Sequence, residues 1–202
     1  MNLKHIILVT TALLTPLWVT TFVKAENPQQ VRQLLETKQC QACDLSGSGL
    51  VNANLNGAKL SGANLNSANL ADVKLKSADL SSASFNGATL TGAYFTWANL
   101  SRANLTGARL NWANLVSVNL RQANLSSADL SGVDLTGADL TGADLNAANL
   151  TNAKLYLAKL EGANLTGANL SGTIMPDGTV HSSGNLERQV QVKQPNSIVE
   201  TR

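Results

Sequence analysis

The sequence predicts an elongated all-β repeat array, made of very short extended segments joined by corners, and three observations predict it. From Leu45 to Leu170 every fifth residue is leucine, with Phe85 and Phe95 as the two exceptions. Two residues before each of them stands a small residue, alanine from Ala53 to Ala168 except where Val73, Val118 and Val133 replace it. Two residues after each, glycine is the commonest occupant, as at Gly47, Gly57 and Gly62, with serine common among the others.

A period of five fits neither an amphipathic helix nor an alternating strand. Two inward positions in five, with one outward position between them, give a very short extended segment. The remaining two residues must turn a corner, for which glycine and serine are suited. Only 4% of the residues are aromatic, so the core is expected to be built from leucine and alanine.

The elements follow in order. Residues 1–25 read as a signal peptide: Lys4 marks a basic start, Ile6 to Leu17 is an apolar stretch, and Val23-Lys24-Ala25 supplies a cleavage site before Glu26. The rival reading is an uncleaved anchor from Ile6 to Val23, short for a bilayer span and interrupted by Pro16. Residues 26–43 read as an N-terminal helical cap, with a helix at 27–39: Asn27 suits a cap, Pro28 the first turn, and Val31, Leu34 and Leu35 share a face. The array occupies 44–175. After the Pro176-Asp177-Gly178 turn signal, 176–202 form a polar C-terminal tail.

The chain resembles the pentapeptide-repeat proteins, whose pattern Ala-Asp/Asn-Leu-X-X appears as Ala63-Asn64-Leu65, Ala138-Asp139-Leu140 and Ala163-Asn164-Leu165. The run Cys40-Gln41-Ala42-Cys43-Asp44-Leu45 also looks like the entry to the repeat in cyanobacterial members. The resemblance implies a right-handed quadrilateral β-helix, with four pentapeptides and twenty residues to a coil, behind a short N-terminal capping helix. Family dimers join at the C-terminal end, so a homodimer is open to this chain.

Stacking at twenty residues turns the sequence into vertical columns. Lys59 is then expected over Asp79, Arg109 over Asp129, Asp134 over Lys154 and Asp139 over Lys159, as opposite-charge pairs. Asn99 with Asn119, Asn104 with Asn124 and Asn149 with Asn169 would form amide ladders. Asp129, Asp134, Asp139 and Asp144 ring one coil, one per face; they point apart, whereas calcium needs converging oxygens. No metal or cofactor is expected.

Bulky residues at the glycine position stand out: Trp97, Arg102, Trp112, Gln122 and Leu157. Tyr94, Trp97 and Tyr156 share a face, with Trp112 on the neighbouring one, and together they are the candidate interaction surface for a protein or an envelope component; the alternative is that they pad corners or cover loops. Cys40 and Cys43 both fall on inward positions. Buried first-coil residues are the favoured reading over a disulfide, although an oxidising compartment would permit the bond.

Among function classes, an enzyme is not expected. Beyond the leader the chain has one histidine, His181, outside the array, and no Ser-His-Asp or Cys-His set falls on one face. Removing Lys4 and Lys24 from 15 basic residues leaves 13 against 13 acidic, a balance that does not suggest a nucleic-acid partner. It also disfavours the best-known family activity, protection or inhibition of DNA gyrase by mimicry of DNA. No column is a run of threonines, which makes an ice-binding face a weak reading. The leading expectation is an exported, non-catalytic scaffold or protein-interaction module of the periplasm or thylakoid lumen, not inserted in a membrane once the signal is cleaved. The alternative is a carbohydrate- or envelope-binding module using the exposed Trp and Tyr.

Overall fold

The computed structural model describes residues 27–182 of the chain. The expected signal peptide, and the expected tail beyond residue 182, lie outside the described residues.

Each pentapeptide contributes one bridging residue, the one before its leucine, and this residue pairs in parallel with the residue twenty positions on. The series runs from Gln39↔Lys59 to Lys154↔Ile174. Four five-residue units therefore complete a coil. Each extended segment is so short that the ladder consists of isolated bridges, with no continuous strand among the described residues. Leu105 donates its N–H to the Asn124 carbonyl at 2.7 Å, and Asn124 donates to the Ala103 carbonyl at 2.9 Å. We call the four sides face I (the face of Leu45), face II (Leu50), face III (Leu55) and face IV (Leu60).

The corner is made the same way throughout. The residue after the corner donates its N–H back to the leucine carbonyl, as Ala108 does to Leu105 at 3.0 Å. The residue two after each leucine takes a positive φ, +63° at Gly107 and +67° at Gly137. Glycine reaches this region without steric cost, which accounts for its frequency there. Where Asn or Asp precedes the leucine it sets the turn from the other side, by accepting the N–H two residues on through its side chain. Examples are Asp79 with Ser81 at 3.2 Å, Asn99 with Ser101 at 3.2 Å and Asp144 with Asn146 at 3.0 Å. This self-capping explains why the consensus prefers those two residues.

The interior is a stacked column of leucine with alanine between. Phe85 and Phe95 are fully buried within it. Ser48 takes an alanine position near the first end, and its buried hydroxyl has no hydrogen-bond partner. Thr173 takes another near the last end, and there the hydroxyl donates to the Leu150 carbonyl at 2.7 Å.

The first helix, α1, spans Pro28–Thr37. Asn27 caps it by accepting from the Gln30 N–H at 3.3 Å. It stops short of the expected residue 39 because Lys38 turns left-handed at φ 57° and Gln39 enters the ladder. The array thus begins one pentapeptide earlier than the expected residue 44. Leu34 inserts fully into the core, and the Gln30 side chain accepts the Asp44 N–H at 2.6 Å. Beneath it Cys40 and Cys43 are both buried and joined, Sγ to Sγ at 2.08 Å. Both cysteines are buried as expected, but they are bonded, which the sequence reading ranks below burial without a bond.

The far end is built differently. Leu160, Ala163 and Leu165 are only partly buried. Among the described residues the N–H groups of Leu160, Leu165 and Leu170 find no backbone acceptor. The chain instead turns at Pro176 to Thr179 and returns antiparallel, with Val180 bridging Ile174 and the His181 N–H bonded to the Thr173 carbonyl at 2.8 Å.

Candidate functional site

Exposed large apolar side chains within the coils gather around face III. Tyr94, Tyr156, Trp97 and Leu157 belong to it, Trp112 stands at the corner it shares with face II, and Val51 on face II is the remaining one. The sequence reading placed Trp112 on the neighbouring face; the corner position makes it the rim of both. Tyr94 and Trp97 sit in one coil, while Tyr156 lies three coils further along the same face. Among the described residues no two of these rings stack on each other, so the surface is a spaced set of rings rather than a cluster.

Two of the rings have distinct supports. The Lys76 ammonium stands 4.7 Å from the Trp97 ring centroid, one coil below, a cation–π contact. Trp112 leans towards the next coil. An ideal Cβ built on Gly132 would fall 2.5 Å from both Cε3 and Cζ3 of Trp112 and 3.0 Å from Cδ2. Near-equal distances to three consecutive ring atoms place that point above the plane of the ring, because an approach in the plane would leave Cδ2 much further away. The indole therefore lies with one face on the glycine backbone. At 69% exposure its other face is open to solvent. The same column repeats the device with smaller groups, Asp72 lying over Gly92 and Asn152 over Gly172.

Both tryptophans hold a backbone conformation that suits glycine, φ +60° at Trp97 and +62° at Trp112. A bulky residue in the left-handed region costs on the order of 1 kcal/mol or more. Arg102 at +58° and Leu157 at +58° do the same.

The charged columns only partly follow the expected pairs. Lys154 reaches Asp134 at 3.9 Å as expected. Asp139 is bonded by Arg121 at 3.1 Å rather than by Lys159, because Arg121 stands in the adjoining column, near enough for its long side chain to reach. Neither Arg109–Asp129 nor Lys59–Asp79 closes to ion-pair distance: Asp129 accepts from Asn149 at 3.1 Å, and Asp79 accepts from Asn99 at 3.2 Å. Of the expected amide ladders, Asn119 donates to Asn99 at 3.1 Å. Asn104 and Asn124 instead accept from their own corners, from Thr106 and Ser126, and Asn149 turns to Asp129.

Burial raises the Asp79 carboxyl, but hydrogen bonds from Ser81 and Asn99 and the charge of Lys59 outweigh it and hold the group below its usual value. Burial likewise raises Asp139, and Thr141 and Arg121 outweigh it. The Asp belt at 129, 134, 139 and 144 is engaged in its own corners, at Ser131, Thr136, Thr141 and Asn146. Among the described residues no group of side chains is arranged to hold a metal ion.

Sequence reasoning missed two participants, Gly132 and Lys76. Both were visible in the columns, one position twenty after Trp112 and the other one coil before Thr96, beside Trp97.

Comparison with known families matches the model for pentapeptide repeats in eight copies, over residues 39–76, 68–107, 103–142 and 143–176. The chain belongs to the pentapeptide repeat family. Several solved pentapeptide repeat proteins resemble it. HetL, from the cyanobacterium Nostoc sp. strain PCC 7120 and involved in heterocyst differentiation regulation, is 28% identical over 78% of this chain and 100% of its own, with a TM-score of 0.29. A pentapeptide repeat protein of the Arabidopsis thaliana thylakoid lumen is 34% identical over 51% of this chain and 68% of its own, with a TM-score of 0.39. The Nostoc PCC 7120 protein alr5209 is 45% identical over 40% of this chain and 62% of its own, with a TM-score of 0.33. Comparison with curated proteins gives no match. In this pentapeptide repeat protein, as the described residues show it, no helix is long and apolar enough to cross a membrane.

Proposed function

We propose that this pentapeptide repeat protein is an exported, non-catalytic scaffold that engages its partner through face III. In this reading the coil is a right-handed quadrilateral β-helix capped by α1. Residues 1–25 are its export signal, the compartment is the periplasm or the thylakoid lumen, and the tail from 176 is accessory. A homodimer remains one of its assembly states.

The observation that carries the reading is the pair of tryptophans at positive φ. A corner that needs only glycine or serine for folding has kept two large rings in a strained conformation and exposed them. Strain retained with exposure suggests use rather than packing. Among the described residues no acid–base or nucleophilic set converges on one face, which is in keeping with a binding role.

The balance of charge disfavours DNA mimicry as that role. Between Asp44 and Met175 eight acidic residues are matched by eight basic ones, so the array lacks the net negative charge of a duplex.

The test is affinity capture from the exported fraction of the native cell, with the wild-type chain and with Trp97→Ser/Trp112→Ser side by side. The reading expects a specific partner that the variant loses, and a native chain that fractionates with exported proteins. Equal capture by the two chains, or a chain retained in the cytoplasm, overturns it.

A further inference from the structure

Resting on the proposal that face III is the binding surface, we propose that its ligand is an anionic polysaccharide whose sugars carry carboxylates. The ligand would stack on Trp112 and pair with the lysines of face III.

Ring geometry gives the first part of the argument. An indole pressed on one side against a glycine backbone, with its second side open, is a fixed platform whose electron-rich face is presented outward. The C–H groups on one side of a pyranose ring suit such a face, as do other flat, partly polarised groups. Gly132 is what permits the pose, since any Cβ there would occupy the space of the ring.

Charge gives the second part. With the corner column that holds Trp112 included, face III carries Lys74, Lys76 and Lys154 against two carboxylates, Asp72 at that corner and Asp134. Asp134 is already 3.9 Å from Lys154. The Lys76 ammonium stands against the Trp97 ring, Lys74 pairs through its backbone with Tyr94, and among the described residues neither lysine has a carboxylate within ion-pair distance. The opposite face I carries Asp44 and Asp144, with Arg102 at its corner with face IV.

Spacing gives the third. A protein hot spot is a contiguous, desolvated apolar pocket, and face III does not offer one. Its rings are separated by Thr96, Asn114, Val116, Asp134 and Thr136, and Thr96 donates to Asn114 at 3.0 Å. Rings spaced along a flat column, with hydroxyl and amide groups between them, match an extended chain of repeating units that alternates C–H faces with hydroxyls. A polymer lying along the tower axis would meet Lys74, Tyr94 and Trp112 in succession before it reached the Asp134–Lys154 pair.

The experiment is affinity electrophoresis of the full chain in gels containing polygalacturonate, neutral dextran or dextran sulfate. The proposal expects retardation by polygalacturonate and little by dextran. It expects the affinity to fall about tenfold in Trp112→Ser, and to fall with added salt in the wild type. Lys74→Gln/Lys76→Gln serves as a second variant, chosen because both side chains are exposed, and it should weaken binding while leaving the melting temperature unchanged. Three outcomes overturn the proposal: no retardation by polygalacturonate, equal retardation of wild type and Trp112→Ser, or dextran sulfate binding that is as strong and as insensitive to Trp112. If polygalacturonate fails while a captured protein is lost from Trp97→Ser/Trp112→Ser, the scaffold reading stands and the saccharide one falls.

Discussion

Trp112 lies face-on over Gly132, and each residue determines what the other can be. Replacing Gly132 by alanine puts a methyl group into the ring at a backbone position of φ +65°, so the indole must swing away or the coil must shift. We expect Gly132→Ala to destabilise the fold by about 1–3 kcal/mol. In Trp112→Ser the same change should cost only the smaller penalty of alanine at positive φ. A double-mutant cycle by denaturant unfolding measures the difference, and additive effects would show that the ring does not occupy that space.

Ser48 offers a stabilising change. Its hydroxyl is buried at an alanine position with no partner, so Ser48→Ala removes an unmet hydrogen-bonding group and restores the repeat. The expected gain is about 1 kcal/mol, read as a rise in thermal midpoint.

Stability should be unequal along the tower. Phe95 is fully buried mid-array, whereas Leu165 near the last coil is only partly covered. Phe95→Ala is expected to cost about 3–5 kcal/mol and Leu165→Ala less than about 2 kcal/mol. Amide exchange should show the same gradient: the Leu105 and Leu110 N–H groups bond to the next coil and should be protected, while those of Leu160, Leu165 and Leu170 should exchange early.

Acid should weaken the fold through Asp79 and Asp139. Both carboxyls are held below their ordinary value in the folded chain. Their contribution is therefore complete above the unfolded pKa of about 3.9 and is lost as pH falls through the lower folded values. Thermal melts taken from neutral pH downward should show the midpoint falling in that acid window. In Asp79→Asn/Asp139→Asn the slope should flatten, while an unchanged slope would assign the acid loss to other carboxylates.

The backbone was legible because every fifth residue repeats one physical instruction. Leucine buries, alanine leaves room, Asn or Asp closes the corner on itself, and glycine takes the positive φ. Side-chain pairing was less legible, and Asp139 shows why. A column assigns vertical neighbours, but Arg121 in the adjoining column is long enough to reach Asp139 before Lys159 does. Asn104 failed as a ladder member for a related reason: Thr106, two residues on, offers a hydroxyl at 2.6 Å, and the local corner competes successfully with the next coil. The candidate surface was legible as exceptions to the repeat, but the pose of Trp112 was not, since it depends on a missing Cβ one coil away.

Because one pentapeptide is a quarter of a coil, position on the surface behaves as a phase angle carried by the chain. Deleting a single repeat between Trp112 and Tyr156, such as residues 123–127, would leave leucine stacked on leucine yet rotate everything beyond it by one face. Tyr156, Leu157 and Lys154 would then leave the side that Trp97 occupies, whereas deleting four consecutive repeats would return them to it one step closer. The array thus couples sequence length to direction. Shortening or lengthening it by whole coils changes the reach of the surface, and by part of a coil changes where it points.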